Sequence, residues 1–110
     1  MRIDGKNNIS MTRGDSETIT VSCEARPFEK GDAITFTVRK TAKSETKIIE
    51  KKVLEFEEGK AIIEILPEDT AGMAFDRYRY DIQLTGADGT VTTIIKPAEF
   101  RIEEEVTYDG

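Results

Sequence analysis

The stretch Arg77-Tyr78-Arg79-Tyr80-Asp81-Ile82-Gln83-Leu84 alternates without a break. Tyr78, Tyr80, Ile82 and Leu84 fall on one side, and Arg77, Arg79, Asp81 and Gln83 on the other. A period of two sends successive side chains to opposite faces of a strand. The octapeptide therefore predicts a β-strand with an apolar, aromatic inner face and a charged outer one. It runs into Gly86-Ala87-Asp88-Gly89, where Asp-Gly offers the positive φ angles of a tight hairpin. Residues 90–96 then return antiparallel. Pro97 has no N–H to donate and is expected to interrupt that strand. A last strand over 99–106 places Phe100 and Ile102 inward and Arg101 and Glu103 outward.

The same period recurs upstream. In residues 33–39, Ile34, Phe36 and Val38 share one face, and residues 18–23 alternate through Ile19 and Val21. Residues 47–55 carry Ile48, Ile49, Val53 and Leu54 in poorer phase, which suggests a bulge or an edge strand. In 60–66, Ala61, Ile63 and Ile65 face one way and Ile62 and Leu66 the other. Residues 8–11 read as a short first strand, followed by a turn at Arg13-Gly14-Asp15. Only 67–74 resists a strand reading. Pro67 suits a first helical position, and Glu68 and Asp69 suit a first turn. Seven or eight short strands with one short helical turn near 67–74 predict an all-β, immunoglobulin-like antiparallel sandwich. At 110 residues the chain is one domain, spanning 1–110. Residues 108–110, beyond the acidic Glu103-Glu104-Glu105, are expected to fray.

Composition narrows the function classes. The formal net charge is −6, and an acidic chain repels a phosphate backbone, so no nucleic-acid partner is expected. Cys23 is the only cysteine, which excludes an intramolecular disulfide and reads as a small buried hydrophobe. The chain has no His, the usual base of a Ser or Cys triad. Glu17, Glu24, Glu64, Asp81, Glu99 and Glu103 alternate outward rather than converge. Asp69, Asp76, Asp81 and Asp88 lack the spacing of a calcium loop. No catalytic, cofactor-binding or metal site is expected, and the chain reads as non-enzymatic. No segment approaches the roughly 20 apolar residues that span a bilayer, and residues 1–5 lack the apolar run of a signal peptide. A soluble protein with no membrane partner and no export signal of its own is expected. Arg13-Gly14-Asp15 matches an integrin-recognition tripeptide, and Asn8-Ile9-Ser10 a glycosylation acceptor. The first is explained by a turn, and the second has no consequence without export.

What remains is binding. The outward set Arg77, Arg79, Asp81 and Gln83, beside Arg39 and Lys40, is a candidate protein-binding face, since arginine is enriched in interfaces. Two strand edges, near 47–55 and along the final strand, could also pair with a partner. Phe36, Tyr78, Tyr80 and Phe100 are expected to form core. A second reading, a module binding surface carbohydrate or another ligand, requires two or more of those rings exposed on a concave face.

Four motifs are similar to those of small β-sandwich domains from tail and baseplate proteins of phages and prophages of Gram-positive bacteria, the baseplate upper protein N-terminal domain among them. They are residues 11–19, where Gly14-Asp15 turns into a strand; residues 31–40; Ile65-Leu66-Pro67-Glu68-Asp69-Thr70 followed by Tyr78-Arg79-Tyr80-Asp81-Ile82; and residues 88–102. Together they cover nearly the whole chain, and their order and spacing are more specific than any one of them. The resemblance implies a structural role in a tail tip or baseplate of the virion, made in the bacterial host cytoplasm. Other tail or baseplate proteins would be its partners, and a homo-oligomer, trimeric or hexameric, would suit a tail axis. Residues 67–80 also look like the acidic turn before strand F of antibody variable domains, where a tyrosine corner forms, although the cysteine expected after the tyrosine is missing.

Overall fold

The alternation of residues 77–84 is realised in a strand at the middle of a six-stranded sheet. The computed structural model describes residues 1–104. Its elements are β1 (Arg2–Ile3), β2 (Ile9–Thr12), β3 (Glu17–Val21), β4 (Ala33–Arg39), β5 (Ile49–Val53), β6 (Ala61–Ile65), α1 (Pro67–Thr70), β7 (Arg77–Thr85) and β8 (Val91–Glu103). One sheet runs β1-β2-β8-β7-β4-β5, and β3 pairs with β6 in a second. The described residues are all-β apart from the single turn of α1.

Packing follows the predicted faces. Ile34, Phe36 and Val38 of β4 are wholly buried, as is Phe100 of β8, while Tyr78, Tyr80, Ile82 and Leu84 of β7 join them. Ile19 and Val21 of β3 and Ala61, Ile63 and Ile65 of β6 meet the same cluster from the small sheet. At its centre Phe36, Tyr80 and Phe100 form a triangle of rings with centroids 5.4, 6.0 and 6.2 Å apart. Those separations lie in the range favoured by tilted and edge-on aromatic pairs. The Tyr80 hydroxyl donates to the Asn7 carbonyl, and burial pushes its phenol up to about 12.

The turn between the sheets is fastened at three points. The Asp69 carboxylate accepts the Leu66 N–H at 2.7 Å, capping α1, and pairs with Lys51 of β5 at 2.7 Å. The buried Thr70 hydroxyl accepts the Gly14 N–H at 2.8 Å. The Tyr78 hydroxyl donates to the Ala74 carbonyl four residues upstream at 2.9 Å, which closes the corner before β7. The turn at 13–15 is thus part of the scaffold. Arg13 donates to the Met73 carbonyl, and its guanidinium lies 4.1 Å from the Phe75 ring centre.

The loop from β3 to β4 folds around Asp32. This nearly buried carboxylate takes a two-pronged ion pair from Arg26, at 2.8 and 3.0 Å, and the Glu29 N–H at 2.9 Å. The Phe28 N–H then donates to the Gly59 carbonyl at 2.9 Å. Gly59 has φ +76°, and a Cβ there would fall 2.5 Å from Cβ of Pro27, so both conformation and space demand glycine.

Several expectations need correction. The large sheet is mixed rather than antiparallel, because β2 runs parallel to β8. No hairpin joins these two strands, so no turn dictates their sense; parallel pairing sets Ile9 beside Phe100 and Met11 beside Ile102 on the buried face. The strands expected at 90–96 and from 99 onward are one continuous strand. Pro97 is absorbed where the ladder passes from Tyr80↔Ala98 to Ile82↔Ile95, three residues on β8 against two on β7. Such a bulge needs no N–H from proline. In the β7–β8 turn only Gly89 has positive φ, at 86°, with its N–H donating to the Gly86 carbonyl. The helical turn stops at Thr70, and the strand expected over 47–55 contracts to Ile49–Val53, leaving Ile48 and Leu54 exposed. Cys23 lies beyond the end of β3 and is only partly buried. The strand β1 was not expected; Asp4 creates it by accepting the Lys6 and Asn8 N–H groups in the turn to β2. The last strand ends at Glu103, before Glu104; its predicted continuation through 105–106 and the tail at 108–110 lie outside the described residues.

Two outcomes follow. Tyr78→Phe removes one hydrogen bond without removing ring volume and costs about 1 kcal/mol, seen as a melting temperature lower by roughly 4–8 °C. An unchanged melt would show that this corner bond contributes nothing. Arg26, and after it the Glu29 amide, hold the Asp32 carboxyl below the usual carboxylate range. A lowered folded-state pKa contributes stability above the unfolded value of about 3.9, lost as pH falls through the lower folded one. Asp32→Asn is therefore less stable at neutral pH, and its melting curve approaches that of the wild type in acid. Melts that stay equally far apart from pH 7 to pH 2 (roughly the span of that carboxylate's titration) would contradict this.

Candidate functional site

The apolar residues of the central strands are committed to the core, so their alternate residues build one outer sheet face. Register brings the five predicted residues together there. Arg39 lies opposite Arg79, Thr37 opposite Asp81 and Thr35 opposite Gln83 on β4 and β7. On the far side of β7, Arg77 lies opposite Arg101 and Arg79 opposite Glu99. Arg39 pairs with Asp81 at 3.6 Å, and Thr37 beside them is buried although it points outward. Arg77 pairs with Glu99 at 3.7 Å.

Just below this face Lys40 pairs with Asp76, and its ammonium sits 4.9 Å from the Tyr78 ring centre. The Lys40 ammonium and the Arg77 N–H hold the Asp76 carboxyl below its usual range, and the Asp76 carboxylate raises the Lys40 ammonium in return.

Arg101 and Glu99 belong to the face although sequence reasoning did not include them in it. Their outward phase was visible, but only strand order makes β8 the neighbour of β7. The consequence is two successive cross-strand arginine pairs, Arg39↔Arg79 and Arg77↔Arg101. Like charges placed directly opposite in a ladder are unfavourable. Arg79 and Arg101 are exposed, and neither forms an ion pair among the described residues. Planar guanidinium groups in such an array are suited to receiving carboxylates two oxygens at a time. Beside them Phe75, Arg77, Arg101 and Glu103 line a shallow groove of about 360 Å³.

The strand edges divide differently from expectation. β5 is an edge of the large sheet. The final strand is flanked by β2 over Phe100–Glu103 and by β7 up to Arg101, and it opens on the β2 side upstream of Phe100. The aromatic surface needed by the carbohydrate reading is not offered by Phe36, Tyr78, Tyr80 or Phe100, all of which are buried. Among the described residues no three His, Cys, Asp or Glu side chains gather as a metal site. No helix there is long and apolar enough to cross a membrane. No protein-family model and no curated protein matches this sequence.

The opposed arginines make a signed prediction. Arg101→Gln relieves repulsion from Arg77, while its other cross-strand neighbour is the uncharged Ser10, and so stabilises the fold by about 0.2–1 kcal/mol at low salt. The gain disappears near 1 M salt, where the screening length is about 3 Å. Urea denaturation at the two ionic strengths reads both, and a destabilised variant at low salt would refute the like-charge account.

Proposed function

We propose that this chain is a non-enzymatic assembly protein of a bacteriophage or prophage tail or baseplate, resident in the virion, that binds neighbouring tail subunits through the outer face of its six-stranded sheet. The observation that carries the reading is that face, on which Arg39, Arg77, Arg79, Asp81 and Gln83 converge with two arginines left without ion pairs. The tail and baseplate setting is supported by the four motifs of the sequence resemblance. Burial of the four core rings favours a protein partner over a carbohydrate.

The scaffold proposed is an immunoglobulin-like sandwich. Order β8-β7-β4 with β5 added beside β4 parallels strands G, F and C with an added C′, and the β3–β6 pair parallels B and E. The Tyr78 bond to Ala74 parallels a tyrosine corner. A hydrophobic core replaces the inter-sheet disulfide.

The reading is tested by binding to the tail proteins encoded beside this one, with immobilised wild type and Arg79→Glu compared. Reversal of this exposed charge is expected to weaken binding at least tenfold, about 1.4 kcal/mol, with an unchanged circular dichroism melt. Absence of binding by the wild type to every such protein, together with a strictly monomeric state, would remove the proposal.

A further inference from the structure

The outer sheet face is basic on an acidic chain. At outward positions from β5 to β8 it carries Lys52, Arg39, Arg77, Arg79 and Arg101 against Glu50, Asp81, Glu99 and Glu103. Five cations against four carboxylates leave it at plus one, so the rest of a chain with formal charge −6 carries minus seven. Part of that excess is concentrated on the opposite side. Glu55, Glu57 and Glu64, all exposed, rim a groove of about 290 Å³ whose apolar wall is Phe56 and Ile62. Glu64 and Ile62 project from β6 away from the core that Ile63 and Ile65 enter. None of the three glutamates forms an ion pair among the described residues. Lys60 flanks the groove across its bridge to Glu57.

We infer that the arginine cluster of one copy docks onto the acidic groove of a second copy, so that chains associate head to tail. The inference rests on the sheet-face reading above and names its occupant. Two points carry it. The cluster holds like charges opposed in the ladder, an arrangement that costs stability unless counter-charges arrive from outside. The same chain exposes carboxylates without ion pairs on the far side of its core, where they cannot reach its own arginines. The two surfaces differ, so the contact is heterologous and generates a ring or a filament rather than an isologous dimer. At about 3.4 Å per residue and about 4.8 Å between strands, the lengths of β4, β5, β7 and β8 give a face of roughly 550 Å², below the ~800 Å² per partner of a stable interface and suited to a weak, salt-sensitive contact.

Sedimentation velocity tests the inference. Wild type at about 200 µM, a concentration that reveals even weak contacts, is expected to associate at about 50 mM salt and to dissociate at about 500 mM. Arg79→Glu/Arg101→Glu and Glu57→Arg/Glu64→Arg should each be monomeric alone. Their equimolar mixture should associate again in alternating order, because the native basic face of one meets the native acidic groove of the other and the reversed acidic face meets the reversed basic groove. Wild type that stays monomeric at low salt, self-association of either double variant, or a mixture that stays monomeric would overturn the inference. Both variants are checked by circular dichroism melts. Should one fail to fold, Arg101→Gln and Glu64→Gln replace it, each expected to weaken self-association several-fold, and no weakening overturns it. Monomeric wild type that still binds a tail protein through Arg79 would remove this inference alone and leave the proposed function standing.

Discussion

Everything in this protein is organised around the contact of Phe36, Tyr80 and Phe100 across β4, β7 and β8. These three strands are adjacent, and the three rings are the largest side chains at their centre. Moving any of the strands by one residue would turn its ring to solvent and bury its charged neighbour instead. Burying a ring of this kind is worth more than any surface ion pair. The register of the large sheet is therefore decided in the core, and the order of charges outside is a consequence. Arg39 meets Arg79 because Val38 must meet Tyr80. Arg77 meets Arg101 because Tyr78 must meet Phe100.

That hierarchy explains how an unfavourable outer face persists. Cross-strand repulsion is worth at most about 1 kcal/mol per pair, against several kcal/mol for each large buried side chain. Asp81 and Glu99 offset part of it by pairing with Arg39 and Arg77. Arg79 and Arg101 have no such partner among the described residues, so their positive charge is presented to the surroundings. The connecting loops carry the opposite kind of electrostatics. At Asp32, Arg26 supplies the counter-charge within the same loop and the Glu29 N–H adds a further hydrogen bond.

The core was legible because side-chain period and volume are local properties. The inward residues of β4, β6 and β7 could be named from alternation alone. What escaped depends on contacts between distant residues. β2 is four residues long and lies some ninety residues from its partner β8, so nothing in either strand states that they run parallel. β1 has only two residues, too few to show a period, and rests on the side chain of Asp4. Pro97 reads locally as a break, whereas a bulge lets the strand pass through it. The five face residues were visible as an outward set, but Arg101 and Glu99 joined them only once β8 was known to lie beside β7.

Charge distribution adds a directional element to this scaffold. With a net charge of −6, two copies repel at long range, and the repulsion is weakest where the basic face of one approaches the acidic side of the other. Electrostatic complementarity of this kind acts chiefly on encounter and orientation rather than on final affinity. A flat sheet face has little shape to define a docking angle. The arginine rows supply that definition, since planar guanidinium groups held on strands accept carboxylates from a restricted set of directions. The rigid core beneath them keeps the rows in place, so the residues that make the fold stable also fix the geometry of the outer face.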